Sequence, residues 1–315
     1  MASAPTPRRR RFVGSTCAPG VEWTRRNVAL AVLAALVGAT LLAAAGAAAY
    51  FGFGHGPDEA AVEAGESDDS MTVARIEGAT VVRSGPLTPE TTGPVYYPGA
   101  RVNHESYAPT AAGIVADRDV VVVVQMPLNP AILAPGRAAT AVDAAPAAES
   151  WYVGGHSLGG AMACRYAAGA DADPEGLVLH AASCDNVSGT DLRVLSVLGA
   201  EDTVIDTEAE RERRGLLPDG ATVVELEAVT HSGVGAYGPR RAEGPPPRDP
   251  AAMRADVARA TGEWLVGDAN ATDESGAATA SYRSAPTASS TELKPSRSSS
   301  SSSPRLMRLA TPGPS

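Results

Sequence analysis

Gly155-His156-Ser157-Leu158-Gly159 follows an apolar run, Trp151-Tyr152-Val153, and leads directly into a small-residue stretch, Gly160-Ala161-Met162-Ala163-Cys164. This order specifies a strand that turns sharply into a helix with a serine at the apex, the arrangement called a nucleophile elbow. The apical serine must take a strained backbone conformation, and the residues two positions away on either side crowd its side chain. Glycine at both places, Gly155 and Gly159, removes the crowding because it has no Cβ. In a chain with 32 glycines the pentapeptide alone is a weak signal, so its flanks carry the argument. They predict Ser157 as a nucleophile.

A serine hydroxyl attacks poorly until a base takes its proton, and a carboxylate must hold that base in the right tautomer. On a strand–turn–helix scaffold the partners follow in the order Ser, then Asp or Glu, then His. Leu195-Ser196-Val197-Leu198-Gly199-Ala200-Glu201-Asp202 is a strand running into a turn that ends on a carboxylate. Val223-Val224-Glu225-Leu226 is the next strand, and Val229-Thr230-His231-Ser232-Gly233 is the loop beyond it. Asp202 is therefore the expected acid and His231 the expected base. Glu201 and Asp206 are neighbouring alternatives for the acid, and Asp185, after the preceding strand, is a further one. Of the other histidines, His55 lies in the membrane-proximal segment and His156 beside the nucleophile, expected to point away from it. His104 and His180 precede the final strand, and His180 reads as a core or pocket-wall residue. The oxyanion formed on attack needs two backbone donors. Leu158, after the nucleophile, supplies one. The loop after Val95-Tyr96-Tyr97 supplies the other, with Gly99 allowing close approach and Ala100 or Arg101 donating.

Around these motifs strands and helices alternate. Strands are expected at Thr72–Ile76, Ala79–Arg83, Gly93–Tyr97, Asp119–Gln125, Trp151–Gly154, Gly176–Leu179, Leu192–Leu198 and Ala221–Ala228. The first two form a hairpin, and the five consecutive valines from Val120 mark a strand buried on both faces. Helices are expected at Pro109–Ala116, Arg137–Ala144, Leu158–Ala168, Thr207–Arg214 and Pro250–Leu265. Strands separated by helical crossovers imply an α/β architecture with a doubly wound, mostly parallel sheet, whose sites form at the carboxyl ends of the strands.

The ends of the chain differ from its middle. From Asn27 to Gly54 no residue is charged, a run long enough for a transmembrane helix. Arg8 to Arg11, Arg25 and Arg26 precede it, and the next Arg or Lys is Arg75. The positive-inside bias keeps the N-terminus in the cytoplasm and puts the rest outside. The chain thus divides into a basic segment (1–26), a signal-anchor helix (27–53), an acidic stalk or short surface helix (54–71), a catalytic domain (72–267) and a disordered Ser/Thr/Pro-rich tail (268–315). Localisation is single-pass in the cell membrane with the domain extracytoplasmic. The alternative is secretion, because Thr24-Arg25-Arg26-Asn27-Val28-Ala29 resembles a twin-arginine signal and Ala43 to Ala49 offer cleavage sites.

A formal net charge of −10 excludes nucleic acid as a partner, since no basic face neutralises phosphates. Cys17, Cys164 and Cys184 show no metal-ligand spacing, and no metal or organic cofactor is implied. Cys164 and Cys184 are expected as buried free thiols, with a bridge between them as the alternative outside the cell.

Val95-Tyr96-Tyr97-Pro98-Gly99-Ala100-Arg101-Val102 with Tyr107-Ala108-Pro109, Gln125-Met126-Pro127-Leu128-Asn129, Gly154 to Ala163, Gly199-Ala200-Glu201-Asp202 and Thr230-His231 together resemble the alpha/beta hydrolase family, in its compact, cap-less "family 5" branch. The resemblance covers roughly 93–231, with Val234 to Gly238 as an extension. Residues 240–248 are Pro- and Arg-rich where members often carry a Gly-Asp-Gly stretch. The resemblance implies the triad Ser157, Asp202 and His231, and a carboxylesterase-like serine hydrolase working through an acyl-serine intermediate. Its partners are a small-molecule acyl substrate and the membrane. Short connections leave no room for a large lid, which favours small or exposed acyl groups over long lipids. Two alternatives stand beside this reading: an acyltransferase on the same fold, and a non-catalytic cell-surface binding module that retains it.

Overall fold

The computed structural model describes residues 24–269, apart from 68–69, 77, 116–119, 144–147, 149, 170–172 and 240–242. The expected tail from 270 onward, and the basic segment up to 23, lie outside the described residues.

The strands are β1 (Thr72–Ile76), β2 (Ala79–Arg83), β3 (Pro94–Tyr97), β4 (Val120–Val124), β5 (Tyr152–His156), β6 (Gly176–His180), β7 (Val194–Gly199) and β8 (Thr222–Leu226). They form one sheet in the order β1-β2-β4-β3-β5-β6-β7-β8. The β1–β2 hairpin is antiparallel and joins β4 antiparallel; every later pair is parallel. The exchange of β3 and β4 puts β3 at the centre, beside β5, and brings the ends of those two strands together.

Side chains alternate across each strand, so each strand serves two cores. Tyr96, Val121, Val123, Tyr152, Val178, Leu195 and Val197 face one core. There they meet α3 (Ala108–Val115) and α7 (Pro250–Ala269) through Ala111, Ile114, Met253 and Val257. Val95, Tyr97, Val122, Val153, Leu177 and Leu179 face the other core, with α4 (Arg137–Asp143) and α5 (Leu158–Ala167) contributing Ala138, Met162, Ala163 and Cys164. Helices on both faces of a mostly parallel sheet are the expected doubly wound arrangement.

Two expectations change. The thiols of Cys164 and Cys184 are not free but joined in a disulfide, their Cα atoms 5.6 Å apart. Parallel pairing of β5 with β6 lays α5 beside the loop leaving β6, which brings the two residues within bridging range. The stretch read as an acidic stalk or a short surface helix forms a short helix that, over its described residues, packs on the domain and does not stand free as a stalk. The Asp58 amide donates to Ala236 O (2.7 Å), and α2 (Glu59–Glu66) buries Val62 in the α3–α7 core. Before it runs α1 (Arg25–Gly52), an apolar helix of 28 residues with none buried, long and apolar enough to cross a membrane.

Candidate active site

Ser157 stands between β5 and α5 with φ 54° and ψ −124°, a left-handed conformation that an L residue adopts only where its surroundings enforce it. Its amide donates to His180 O at the end of β6 (2.9 Å). The glycines around it are needed for close approach. A Cβ on Gly155 would lie 2.5 Å from the Gly159 carbonyl carbon, and one on Gly159 would lie 2.3 Å from the Tyr97 carbonyl oxygen. The elbow is thus wedged against the end of β3.

Asp202 occupies the turn after β7. Its Oδ1 accepts from the amides of Val204 (2.8 Å) and Ile205 (3.0 Å), which fixes the carboxylate plane. Its Oδ2 lies 2.7 Å from Nδ1 of His231, and both side chains are fully buried. His231 opens a short 3-10 turn, His231–Val234, in the loop that follows β8. Its Nε2 is buried and has no hydrogen-bond partner, so no bond joins it to Ser157 Oγ in this structure. The His231 ring sits 4.5 Å, centroid to centroid, from His156, the residue beside the serine.

The other candidate acids are occupied elsewhere. Glu201 is exposed. The Asp206 side chain caps α6 (Thr207–Glu212) by accepting from the Ala209 amide, and Asp185 pairs with Arg165 at 2.9 Å.

In the loop after β3, the Gly99 amide donates to Tyr107 Oη (2.9 Å) and is directed there. What this position requires is glycine itself, since a Cβ would stand 2.6 Å from His156 Nδ1. Ala100 is the next amide along the loop. Leu158 begins α5, where first-turn amides lack acceptors within the helix.

Sequence reasoning passed over a buried cluster behind the site. Tyr107 Oη also bonds His156 Nδ1 (2.8 Å), and Tyr237 lies 6.3 Å from the His156 ring. The His156 ring, beside the nucleophile in sequence, is tilted at 49° against the His231 ring. The two-residue period offered a signal, because it puts His156 on the same face as Tyr152, toward α3. His180 joins this face with Nδ1 on Tyr96 Oη (2.8 Å) and Nε2 on Thr261 Oγ1 (2.9 Å). Burial lowers its pKa to about 3, so it is a neutral core residue. His104 bonds Thr80 Oγ1 (2.8 Å), and burial lowers its pKa as well.

The family model described as "Alpha/beta hydrolase family" matches residues 93–252. Among solved structures, the chain is similar to Est1E from Butyrivibrio proteoclasticus, with 12% identity and a TM-score of 0.45 over 64% of this chain and 100% of that one. It is also similar to an esterase of M. tuberculosis (15% identity, TM-score 0.44, 66% and 97% covered). A third similarity is to a predicted CIB-like hydrolase from Thermoplasma acidophilum (12% identity, TM-score 0.44, 62% and 97% covered). No curated protein matches the chain.

Proposed function

The chain belongs to the alpha/beta hydrolase family, and from that premise we propose that it is a membrane-anchored serine hydrolase cleaving esters through an acyl-serine intermediate. Ser157 Oγ attacks the acyl carbon while His231 Nε2 takes its proton. Asp202 holds the imidazole with Nδ1–H toward its own Oδ2 and offsets the positive charge that develops on the ring. The amides of Leu158 and Ala100 receive the oxyanion. His231 then returns the proton to the leaving alcohol, and a water, deprotonated by the same nitrogen, releases the acid.

One observation carries this reading. A left-handed serine at a strand–helix turn and a fully buried Asp–His pair stand at the same edge of one mostly parallel sheet. The Asp-bound nitrogen of His231 is committed, and the opposite nitrogen has no partner to compete for a proton. The missing bond to Ser157 Oγ does not count against the assignment, because such bonds are often long without substrate and tighten when it binds.

For location, two features support an anchored domain outside the cytoplasm. α1 has the length and composition of a span. The Cys164–Cys184 disulfide suits an oxidising compartment.

The test is a fluorophosphonate probe followed by peptide mapping, on wild type and Ser157→Ala. Labelling of Ser157, lost in the variant together with turnover of a short-chain p-nitrophenyl ester, is the expected result. A folded wild-type protein that neither labels nor turns over the ester ends the proposal.

A further inference from the structure

The last turn of α1 is bound to the rim of the candidate site. Arg101, in the loop after β3, donates from its guanidinium to Phe53 O (2.8 Å) and lies over the Tyr50 ring at 3.9 Å. Asn129, in the loop after β4, donates to Phe51 O (3.0 Å). The His55 amide donates to Arg101 O, and the Asn103 amide donates to His55 O (3.0 Å), so the chain leaving α1 pairs as a parallel bridge with Val102. Gly54 makes this approach possible, since a Cβ there would lie 2.3 Å from Arg101 O. No free linker separates the apolar helix from the loop that carries Ala100.

The exposed large apolar side chains of the described domain gather at this edge. They are Ile76, Leu128, Ile132, Leu133 and Val204. Leu128, Ile132 and Leu133 follow β4, and Val204 follows β7. Ile76 ends β1 in register with Ala79, which pairs with Val124 at the carboxyl end of β4. All five therefore stand at the carboxyl edge of the sheet, the edge that holds Ser157, Asp202 and His231. The 3-10 turn Ala131–Leu133 lies beside α5, the helix that Ser157 begins.

Length gives the depth. Between Arg26 and the end of α1 at Gly52 the helix rises about 39 Å, at about 1.5 Å per residue. That compares with about 30 Å of hydrocarbon and about 40–45 Å with the headgroup layers. With Arg26 at one headgroup layer, Phe53 reaches the other, and Arg101, Leu128 and Asn129 are held at its level.

We propose that the carboxyl edge of the sheet, from Leu128 through Leu133 with Phe53, rests on the lipid bilayer that holds α1, and that the site draws acyl esters carried in that bilayer. The substrate class rests on the serine hydrolase reading; the lipid contact does not. The polar anchor bonds of Arg101 and Asn129 are made to carbonyls at the end of α1, those of Phe53 just past it and Phe51 in its last turn.

The experiment uses the full chain in vesicles of phosphatidylcholine and phosphatidylglycerol, some with phosphatidylcholine brominated at the upper acyl carbons. Ile132→Trp places an indole at the proposed contact. Gly220→Trp, at the opposite edge where a side chain meets open space, is the control. Emission added over wild type is expected to fall at least twofold on bromination for Ile132→Trp and to stay unchanged for Gly220→Trp. Equal quenching of both, or of neither, overturns the lipid contact; so does a blue shift without quenching, which would mean that protein covers the surface. The second arm is an Ile132→Asp, Leu133→Asp double variant. Turnover of a long-chain p-nitrophenyl ester carried in the vesicles is expected to fall at least tenfold, with turnover of a soluble acetate ester kept within twofold. An equal fall for both esters overturns the substrate class. If wild type cleaves neither ester, the hydrolase reading has failed, while bromine quenching still judges the lipid contact.

Discussion

Asp202 Oδ2 and His231 Nδ1 meet at 2.7 Å across 29 residues of sequence, with both side chains out of contact with solvent. Two backbone amides hold the other carboxylate oxygen, so the imidazole is oriented by a group that cannot itself rotate away. Neighbouring loops of β7 and β8 bring the pair together, and the parallel register Gly199↔Leu226 sets their separation.

Asp202→Asn keeps the shape and removes the charge, and its amide can present a donor to the imidazole, favouring the wrong tautomer. The expected loss in kcat is about 10⁴-fold, by the behaviour of comparable triads. Exposed Glu201→Gln should stay within twofold. Steady-state kinetics on a soluble ester compare them, and equal losses in the two variants would assign the acid wrongly.

Gly159→Ala tests the elbow. The new Cβ would meet the carbonyl oxygens of Tyr97 and Pro98 at 2.3 and 2.4 Å, and both belong to backbone that cannot swing aside. Overpacking of this kind costs about 1–3 kcal/mol, and kcat should fall with it because the same backbone carries the oxyanion loop. Gly220→Ala, facing open space, should be neutral. Urea denaturation of both variants gives the answer, and a Gly159→Ala protein as stable as wild type would refute the packing argument.

The disulfide closes a loop with a sequence separation of 20. Replacing both Cys164 and Cys184 by alanine should lower stability by about 3 kcal/mol, chiefly by releasing the unfolded chain. Adding a thiol reductant to wild type should reproduce the shift in denaturation midpoint. No shift on reduction would mean that the bridge contributes nothing.

Stability should fall in mild acid because of His180. Its pKa is lowered to about 3 in the folded protein, against about 6.5 when exposed, so between these values the unfolded chain binds the proton and the folded one does not. The neutral buried ring is stable above pH 6.5. As pH falls toward 3, stability drops by about 1.4 kcal/mol per pH unit from this residue, and His104, lowered in the same direction, adds to it. Denaturation curves from pH 7 to 4.5 should show a steeper decline for wild type than for His180→Gln. Parallel slopes would show that His180 is not the cause.

Where local pattern decides structure, the chain was readable. The valine run, the two-residue alternation and the glycines around Ser157 act over a few neighbours, so β1 to β8 and α3 to α7 fall within a few residues of expectation. That Ser157, Asp202 and His231 would each follow a strand was also legible, and the three strands β5, β7 and β8 run the same way.

Contacts between distant segments were not legible. Asp202 was preferred to Glu201 from its place in the turn, but its surroundings were not legible: the amides of Val204 and Ile205 hold one oxygen, and the other is buried against His231. Likewise the Gly99 amide turns to Tyr107, and the acidic stretch after α1 buries Val62 instead of standing free.

By itself the sequence determined which segments are strands, which residues can carry chemistry, and that one helix is apolar enough for lipid. Tertiary structure alone decided that Cys164 meets Cys184, that the His156 ring meets His231, and that α1 ends on Arg101 and Asn129. The physical reason is range: backbone propensity and side-chain period act between near neighbours. A disulfide, a ring contact or a seated helix end depends on separations of a few ångströms that exist only once the whole sheet has formed.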